Sequence, residues 1–290
     1  LYTCTVRTLL IMDSNILQHF RKDEEPLISQ LSDYIMQAEN EYRPILTHFL
    51  NPREQYIAQS LIHKNQDVKV SFSGGYENAE RKRAIFYPSY YEVQDDDFNL
   101  ELIMIKYPVK FTSLTHGQIL GTLANSGLDR EVIGDIIEQN DTWQFLCEKE
   151  VSDYFRLQID RVGKIKVRLE DAPLDEIVVP ELNWQEKMVT SSSLRIDSLV
   201  SVTFNISRES SKNLIKAEKV QLNWMTVARP DYEVKYGDIL SIRGYGRLRI
   251  DDLLGVTRKD KLRIRVSVLE KNNWYVFGGV GDGFDPFRYS

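Results

Sequence analysis

The residues best suited to bind a charged ligand lie between Ser207 and Ala217, where cations recur at helical spacing. Ser207 is a good N-cap, so the segment predicts a helix that begins here. At 100° per residue, Arg208, Lys212 and Lys216 fall within about 80° of one another. No acidic residue stands four positions before Lys212 or Lys216, so the usual helical pairing is missing. Cations that repel one another favour a phosphate ligand, although this ridge alone also fits a solvated face.

Two later segments also present positive charge. In Arg243-Gly244-Tyr245-Gly246-Arg247-Leu248-Arg249, glycines flank a tyrosine that we expect to be exposed. Such a flexible, cationic loop can stack on bases and reach phosphates. In the run 261–266, strand alternation puts Lys261, Arg263 and Arg265 on one face. Because three separate elements carry cations, a nucleic acid becomes the favoured ligand.

The charge is unevenly distributed along the 290 residues, whose net charge is −6. Residues 191–271 hold 16 Lys and Arg against 10 Asp and Glu, a net of +6, whereas residues 1–190 hold 20 against 31, a net of −11. The positive charge is therefore concentrated in one module, as phosphate binding requires. The acidic remainder weakens indiscriminate binding to polyanions.

The sequence offers little for catalysis or metal binding. Cys4 and Cys147 form neither a disulfide framework nor a metal motif and indicate a reducing, cytoplasmic compartment, and the four histidines show no ligand spacing. The glycine-rich run 278–283 lacks the helix that must follow a cofactor loop, and Asp95–Asp97 is typical of a solvated loop. We expect no enzyme, no cofactor, no metal and no small-molecule substrate. No apolar run reaches transmembrane length, so we expect no membrane partner.

The C-terminal region resembles the S-four RNA-binding domain, a module named for a small-subunit ribosomal protein. The resemblance rests on Leu194-Arg195-Ile196-Asp197, Ile206-Ser207-Arg208, Leu214-Ile215, Val220, Asn223 and Gly237-Asp238-Ile239. It implies that Arg195, Ser207, Arg208 and Lys212 face RNA. One departure is Glu218, where the family usually has a glycine in left-handed conformation; a glutamate there costs on the order of 1 kcal/mol.

Nearly the whole chain, from about Asp13 to Lys271, resembles the bacterial YlmH-type proteins. The matching motifs are Phe72-Ser73-Gly74-Gly75-Tyr76, Ala79-Glu80-Arg81-Lys82-Arg83, Leu114-Thr115-His116-Gly117-Gln118-Ile119-Leu120-Gly121 and Arg130-Glu131-Val132-Ile133-Gly134-Asp135. That family is encoded near cell-division genes and is implicated in ribosome-associated quality control. The resemblance implies, as partner, ribosomal RNA of the large ribosomal subunit still holding a peptidyl-tRNA.

The predicted RNA-binding residues are Arg195, Ser207, Arg208, Lys212, Lys216, Lys219, Arg243, Tyr245, Arg247, Arg249, Lys261, Arg263 and Arg265. The cluster Arg81, Lys82 and Arg83 is a second candidate RNA contact.

The elements that position these residues indicate an α+β protein, which we expect to be a monomer. The predicted parts are a leader that is not native (1–12), a mainly helical N-terminal domain (13–83), a ferredoxin-like or RRM-like α+β middle domain (84–183), the S-four domain of two helices on a small sheet (191–271) and an irregular tail (272–290). Residues 190–193 are predicted to be a polar linker, and Lys219–Trp224 a strand with Val220, Leu222 and Trp224 on one face. The middle domain lacks the aromatic signature of an RNA-recognition motif.

Two other functions remain open at this point. One is an RNA-modifying enzyme of the pseudouridine synthase or methyltransferase type; the middle segment is too short for the catalytic domain of a pseudouridine synthase. The other is a cell-division scaffold that binds protein partners through its acidic N-terminal half.

Overall fold

The computed structural model describes residues 24–62, 67–179 and 184–270. The predicted leader and tail, with the glycine-rich run 278–283, lie outside these residues. The chain divides into two compact units. The first holds the described residues up to 101 with 131–134 and 146–151, and the second holds 102–130, 135–145 and the residues from 152 onward. No helix in the described part is long and apolar enough to cross a membrane.

The N-terminal part of the first unit packs two helices on a three-stranded antiparallel sheet. Its elements are α1 (Glu25–Glu41), β1 (Ile45–Leu50), α2 (Pro52–Ile62), β2 (Val68–Ser73) and β3 (Lys82–Pro88). The strand order is β1-β3-β2. Helix α2 begins at a reciprocal cap, in which the Glu54 N–H donates to Asn51 Oδ1 at 3.0 Å and the Asn51 N–H donates to Glu54 Oε2 at 2.6 Å.

One prediction about this part is incomplete and one is wrong. Alongside the helices, the described residues contain a three-stranded sheet that the sequence did not reveal. The boundary at residues 83/84 cuts through β3, which is the central strand and pairs with both neighbours. The sheet was missed because β1, Ile45-Leu46-Thr47-His48-Phe49-Leu50, has mixed burial and no clean alternation.

The middle part runs strand–helix–strand–strand–helix–strand. Its elements are β4 (Leu100–Lys106), α3 (His116–Ala124), β5 (Ile133–Gln139), β6 (Thr142–Glu148), α4 (Lys149–Gln158) and β9 (Arg168–Ala172). The strand order is β5-β6-β4-β9. A separate two-stranded hairpin, β7 (Arg161–Val162) and β8 (Ile165–Lys166), precedes β9.

The C-terminal module, residues 184–270, packs two helices on a six-stranded antiparallel sheet. Its elements are β10 (Gln185–Ser191), α5 (Ile196–Phe204), α6 (Arg208–Lys216), β11 (Val220–Leu222), β12 (Met225–Thr226), β13 (Ile239–Ile242), β14 (Gly246–Val256) and β15 (Leu262–Glu270). The strand order is β10-β15-β14-β13-β11-β12. Leu199 and Val200 of α5 and Ile215 of α6 join the sheet residues in one buried apolar cluster.

Two local predictions for this module need correction. Thr190 and Ser191 are not linker residues, because β10 pairs with β15 from Gln185 to Ser191. Trp224 does not continue the strand, since Asn223 and Trp224 form the turn between β11 and β12 with φ of 45° and 64°. Both left-handed residues fit a two-residue hairpin turn.

Replacing Glu218 by glycine is expected to stabilise the protein by about 1 kcal/mol. Glu218 has φ of 56°, as the S-four resemblance predicts for this position, and its N–H donates to the Ile215 carbonyl at the end of α6. A Cβ is strained in this conformation, whereas glycine adopts it freely. Urea denaturation of both proteins measures the gain. Glu218→Ala is the control, because it removes the charge but keeps the Cβ; an equal gain for alanine would show that charge, not strain, is responsible.

Lowering the pH from 7 to 5 is expected to destabilise the protein through His116. Burial, followed by the charge of Arg130, lowers the pKa of His116 to about 4 from an ordinary 6.5. The unfolded chain therefore binds a proton near pH 6.5, while the folded chain does so only near 4. The free energy of unfolding falls as the pH drops through this window, by about 2 kcal/mol at pH 5. The measurement is the urea midpoint at both pH values for wild type and His116→Gln; an equal pH dependence in the two proteins would contradict this assignment.

Candidate nucleic-acid interface

The predicted basic ridge lies on α6, which is held in place by its apolar side. Ile215 is fully buried and Leu214 is partly buried against the same cluster. Ser207 caps the helix, because the Ser210 N–H donates to Ser207 Oγ at 3.0 Å. The predicted N-cap of α6 is confirmed.

Asp197 organises the two arginines nearest to the start of this helix. Its carboxylate is fully buried in the first turn of α5. Arg195 donates to it through Nε and Nη2 at 3.0 and 3.1 Å. Arg208, from α6, donates through Nε and Nη2 at 3.2 and 3.4 Å. One carboxylate therefore holds the guanidinium groups of two residues, the N-cap residue of α5 and the first residue of α6.

The electrostatics of this triad favour the ionised forms of Asp197 and Arg195. Burial would raise the pKa of Asp197, but the hydrogen bonds and charges of Arg195 and Arg208 outweigh it, so the pKa lies below its ordinary value. The hydrogen bond to Asp197 raises the pKa of Arg195. The arginine side chains are still 35 and 49% exposed. Because a guanidinium has more N–H donors than the carboxylate engages, each keeps donors for a phosphate oxygen.

Lys212 and Lys216 extend the same face of α6 beyond the triad. Lys216 is exposed and Lys212 is half-exposed. In the part of the chain that the structure describes, neither ammonium lies within ion-pair distance of a carboxylate. Lys219, just after the helix, is also exposed. The structure thus brings Arg195, Arg208, Lys212 and Lys216 onto two adjoining helices of one module.

The segment from Arg243 to Arg249 differs from its prediction. Tyr245 is not exposed; it is half-buried against the apolar cluster, and its ring lies 5.8 Å from that of Phe204. Its N–H donates to the Ile242 carbonyl, so the residue belongs to a tight turn. Arg243 is half-exposed beside it.

Arg247 and Arg249, both in β14, each lie over the ring of a tryptophan. Arg247 is only 3% exposed, and its guanidinium carbon lies 5.6 Å from the ring centroid of Trp224. Arg249 lies 5.1 Å from the ring of Trp184 and donates to Asp251 at 2.7 Å. Such stacks are stabilising cation–π contacts. Since its side chain is buried, Arg247 does not belong to an RNA-binding surface in this structure.

Lys261, Arg263 and Arg265 alternate with apolar residues as predicted, but they differ in exposure and in pairing. Arg263 and Lys261 are exposed, while Arg265 donates to Asp252 at 3.2 Å. The buried residues Ile264 and Val266 lie on the opposite face of the strand.

The second candidate contact, Arg81 to Arg83, has a structural role in the first unit. Arg83 is 5% exposed and donates to the carbonyls of Thr47, Phe98 and Asn99. Arg81 donates to the carbonyls of Phe49 and Ile133 at 2.9 Å. Lys82 donates to the Glu77 carbonyl. Because Arg81 and Arg83 are bound to backbone carbonyls, these two side chains hold the fold of the first unit together.

Sequence reasoning missed Asp197 as the residue that positions the arginines. Its contact with Arg208 joins two helices across 11 positions, which helical periodicity does not reveal. The one local signal is the spacing of Arg195 and Asp197, two residues apart at the start of a helix.

No group of three or more His, Cys, Asp or Glu side chains in the described residues is arranged to hold a metal ion.

Comparison with known proteins places these features in a family. Two family models match the chain, one described as "YlmH, N-terminal" over residues 23–91 and one as "Putative RNA-binding domain in YlmH" over residues 93–176. A Bacillus subtilis (strain 168) protein named "Ribosome-associated protein quality control protein P2" is 39% identical over 251 residues, which cover 87% of this chain and 97% of that protein. A solved structure, "Cell division protein ylmH from Streptococcus pneumoniae", is 31% identical, covers 56% of this chain and 98% of its own, and superposes with a TM-score of 0.49.

The identity with the Bacillus subtilis protein extends over nearly the whole length of both chains, and the two family models cover most of the residues before the C-terminal module. The chain therefore belongs to the YlmH family.

Proposed function

We propose that this chain is a cytoplasmic, monomeric and non-catalytic RNA-binding protein of ribosome-associated quality control. Its C-terminal module, with the S-four architecture, binds ribosomal RNA of the large ribosomal subunit that still holds peptidyl-tRNA. The middle part is a ferredoxin-like layer, since its strand–helix order and its strand order β5-β6-β4-β9 fit that fold.

The observation that carries this proposal is the cationic surface of α5 and α6. Two arginines are fixed by one buried carboxylate, and two lysines without a carboxylate partner in the described residues continue the surface along α6. Fixed guanidinium groups bind phosphate well because less side-chain freedom is lost on binding. A solvated face needs no such fixation.

The comparisons support the choice of partner. The Bacillus subtilis relative is named for ribosome-associated quality control, and one matching family model is named for RNA binding. The net charge of −6 favours a specific site over general binding to polyanions, because the acidic first 190 residues repel RNA outside the module.

Sedimentation with purified ribosomal subunits tests the proposal. We expect the protein to sediment with large subunits carrying peptidyl-tRNA, less with vacant large subunits and not with small subunits. Affinity should fall steeply between 50 and 200 mM salt, by roughly tenfold or more for each pair of phosphate contacts. Equal binding to both subunits, or an affinity independent of salt, would overturn the proposal.

A chemical readout separates the proposal from an RNA-modifying enzyme. After incubation of the protein with large subunits, mass spectrometry of the ribosomal RNA should find no added methyl group and no isomerised uridine. A modification that depends on the protein would show that the chain is catalytic.

A further inference from the structure

The hairpin β7–β8 concentrates positive charge in a part of the chain that is otherwise acidic. Residues 93–176 hold 9 Lys and Arg against 17 Asp and Glu. Four of the nine cations fall within the eight residues 161–168, which include no acid. These four are Arg161, Lys164, Lys166 and Arg168, and all are exposed. The positive charge of residues 161–168 is therefore not apparent from the negative net charge of residues 93–176.

The pairing in the hairpin places like charges together. Arg161 is directly opposite Lys166, and Lys164 lies in the turn between them. Like charges directly opposite each other on a sheet are destabilising. Arg168 is paired with Glu170, but Arg161, Lys164 and Lys166 have no carboxylate within ion-pair distance in the described residues. An anionic ligand would relieve this repulsion.

The position of the hairpin is fixed. Val162 and Val167 are 2 and 5% exposed, and the Val167 N–H donates to the Asp160 carbonyl at 2.9 Å. The hairpin packs on α3, and Gln118 in the first turn of that helix lies beside Gly163. Gly163 has φ of 59°, which suits a tight turn. The cations are therefore presented by an anchored element.

The helix that supports the hairpin and the loop before it add no negative charge. Residues 107–128, which include all of α3, contain no Asp or Glu. The loop before α3 exposes Phe111, which is 88% exposed next to Lys110. The loop is held by the Tyr107 hydroxyl, which donates to the Asp141 carbonyl at 3.0 Å, and by the Phe111 N–H, which donates to the Pro108 carbonyl. An exposed aromatic ring that follows a lysine in the chain can stack on an unpaired base.

We infer that the hairpin β7–β8 and Phe111 form a second RNA-binding surface, on which Arg161, Lys164 and Lys166 bind backbone phosphates and Phe111 stacks on an unpaired base. This inference rests on the proposed function, since it concerns the same RNA. The family model named for RNA binding spans residues 93–176, which contain this surface. The cations of the hairpin allow this segment to bind RNA although its net charge is negative.

The test compares two charge-matched double variants of the full chain in binding to purified large subunits. Lys164→Gln with Lys166→Gln should lower affinity roughly tenfold at physiological salt and make the slope of log affinity against log salt shallower by about 2. The control, Arg43→Gln with Lys69→Gln, removes two exposed cations from the first unit and should bind like wild type. An affinity and a slope equal to those of the control would overturn the inference.

Phe111 is tested by Phe111→Trp, Phe111→Leu and Phe111→Ala. Stacking predicts wild-type affinity for tryptophan and a roughly five- to hundredfold loss for alanine, with leucine close to alanine. A leucine variant that binds like wild type would exclude stacking and overturn this part of the inference.

The same binding experiments distinguish a failure of the second surface from a failure of the proposed function. If wild type binds large subunits and the hairpin variants bind equally well, the second surface is excluded while the proposed function stands. If wild type itself fails to bind, the proposed function fails first.

Discussion

Changing Lys212 and Lys216 together to glutamate is expected to lower affinity for the large ribosomal subunit by roughly a hundredfold or more at physiological salt. Each substitution removes an attraction to phosphate and adds a repulsion on the face that also carries Arg208. The packing side of α6 is unchanged, because Ile215 and Leu214 are kept. Sedimentation with large subunits at several salt concentrations measures the loss.

Arg208 is left out of this variant for a structural reason. A glutamate at 208 would put a second carboxylate against the buried Asp197, which now accepts two hydrogen bonds from Arg208. Leaving a buried charge short of its partners is strongly destabilising, so a loss of binding could then reflect unfolding. The lysine pair avoids this ambiguity, since both ammonium groups are at the surface.

The matched control for net charge is Arg43→Glu with Lys69→Glu in the first unit. It changes the net charge by the same amount, from −6 to −10, at exposed positions outside the proposed interface. We expect it to bind nearly like wild type, and both variants to unfold within about 1 kcal/mol of wild type. If the lysine variant sediments with large subunits as well as the control does, the ridge on α6 is a solvated face.

Truncating Ile215 to alanine is expected to lower the free energy of unfolding by about 2–5 kcal/mol. The side chain is fully buried among Leu199, Val200 and the sheet residues, so its removal leaves a cavity that rigid neighbours cannot fill. Urea denaturation followed by circular dichroism measures the loss. RNA affinity should fall only in proportion to the unfolded fraction.

Leu214→Ala is the natural control for Ile215. The sequence pattern alone gives both residues the same apolar side of α6, but only Ile215 is fully buried, while Leu214 is partly exposed. Alanine at 214 should therefore cost less than alanine at 215, and Ile215→Val about 0.5–1.5 kcal/mol. A larger loss for Leu214→Ala would mean that the helix is rotated relative to the structure.

Sequence periodicity predicted the features that depend on one helix or one strand alone. Helix α6, its cap and its apolar side follow from local spacing, and so does the alternation of Arg263 with Ile264. The triad on Asp197 could not be predicted because it joins residues of two helices. Arg247 was misplaced because residues 243–249 were predicted to form a flexible loop. In the structure β14 begins at Gly246, and the Arg247 guanidinium lies over the Trp224 ring.

The middle part shows the same limit. The sequence predicted an α+β domain here, but it did not predict the hairpin β7–β8. Two strands of two residues each carry too few positions for a period to emerge. Only the left-handed Gly163 marks the turn that separates them.

The pairing of β10 with β15 has a consequence during synthesis. The two strands are the first and the last of the C-terminal module, and Lys187 pairs with Glu270 across 83 positions at 2.8 Å. A contact this distant in sequence forms slowly and cannot form until the last strand has left the ribosome. A nascent chain that ends before residue 262 can form α5 and α6, yet it leaves β10 without a strand partner and one edge of β14 open. A ribosome that stalls late in this message therefore holds an incomplete sheet with unpaired strand edges, which is the kind of intermediate most prone to aggregate.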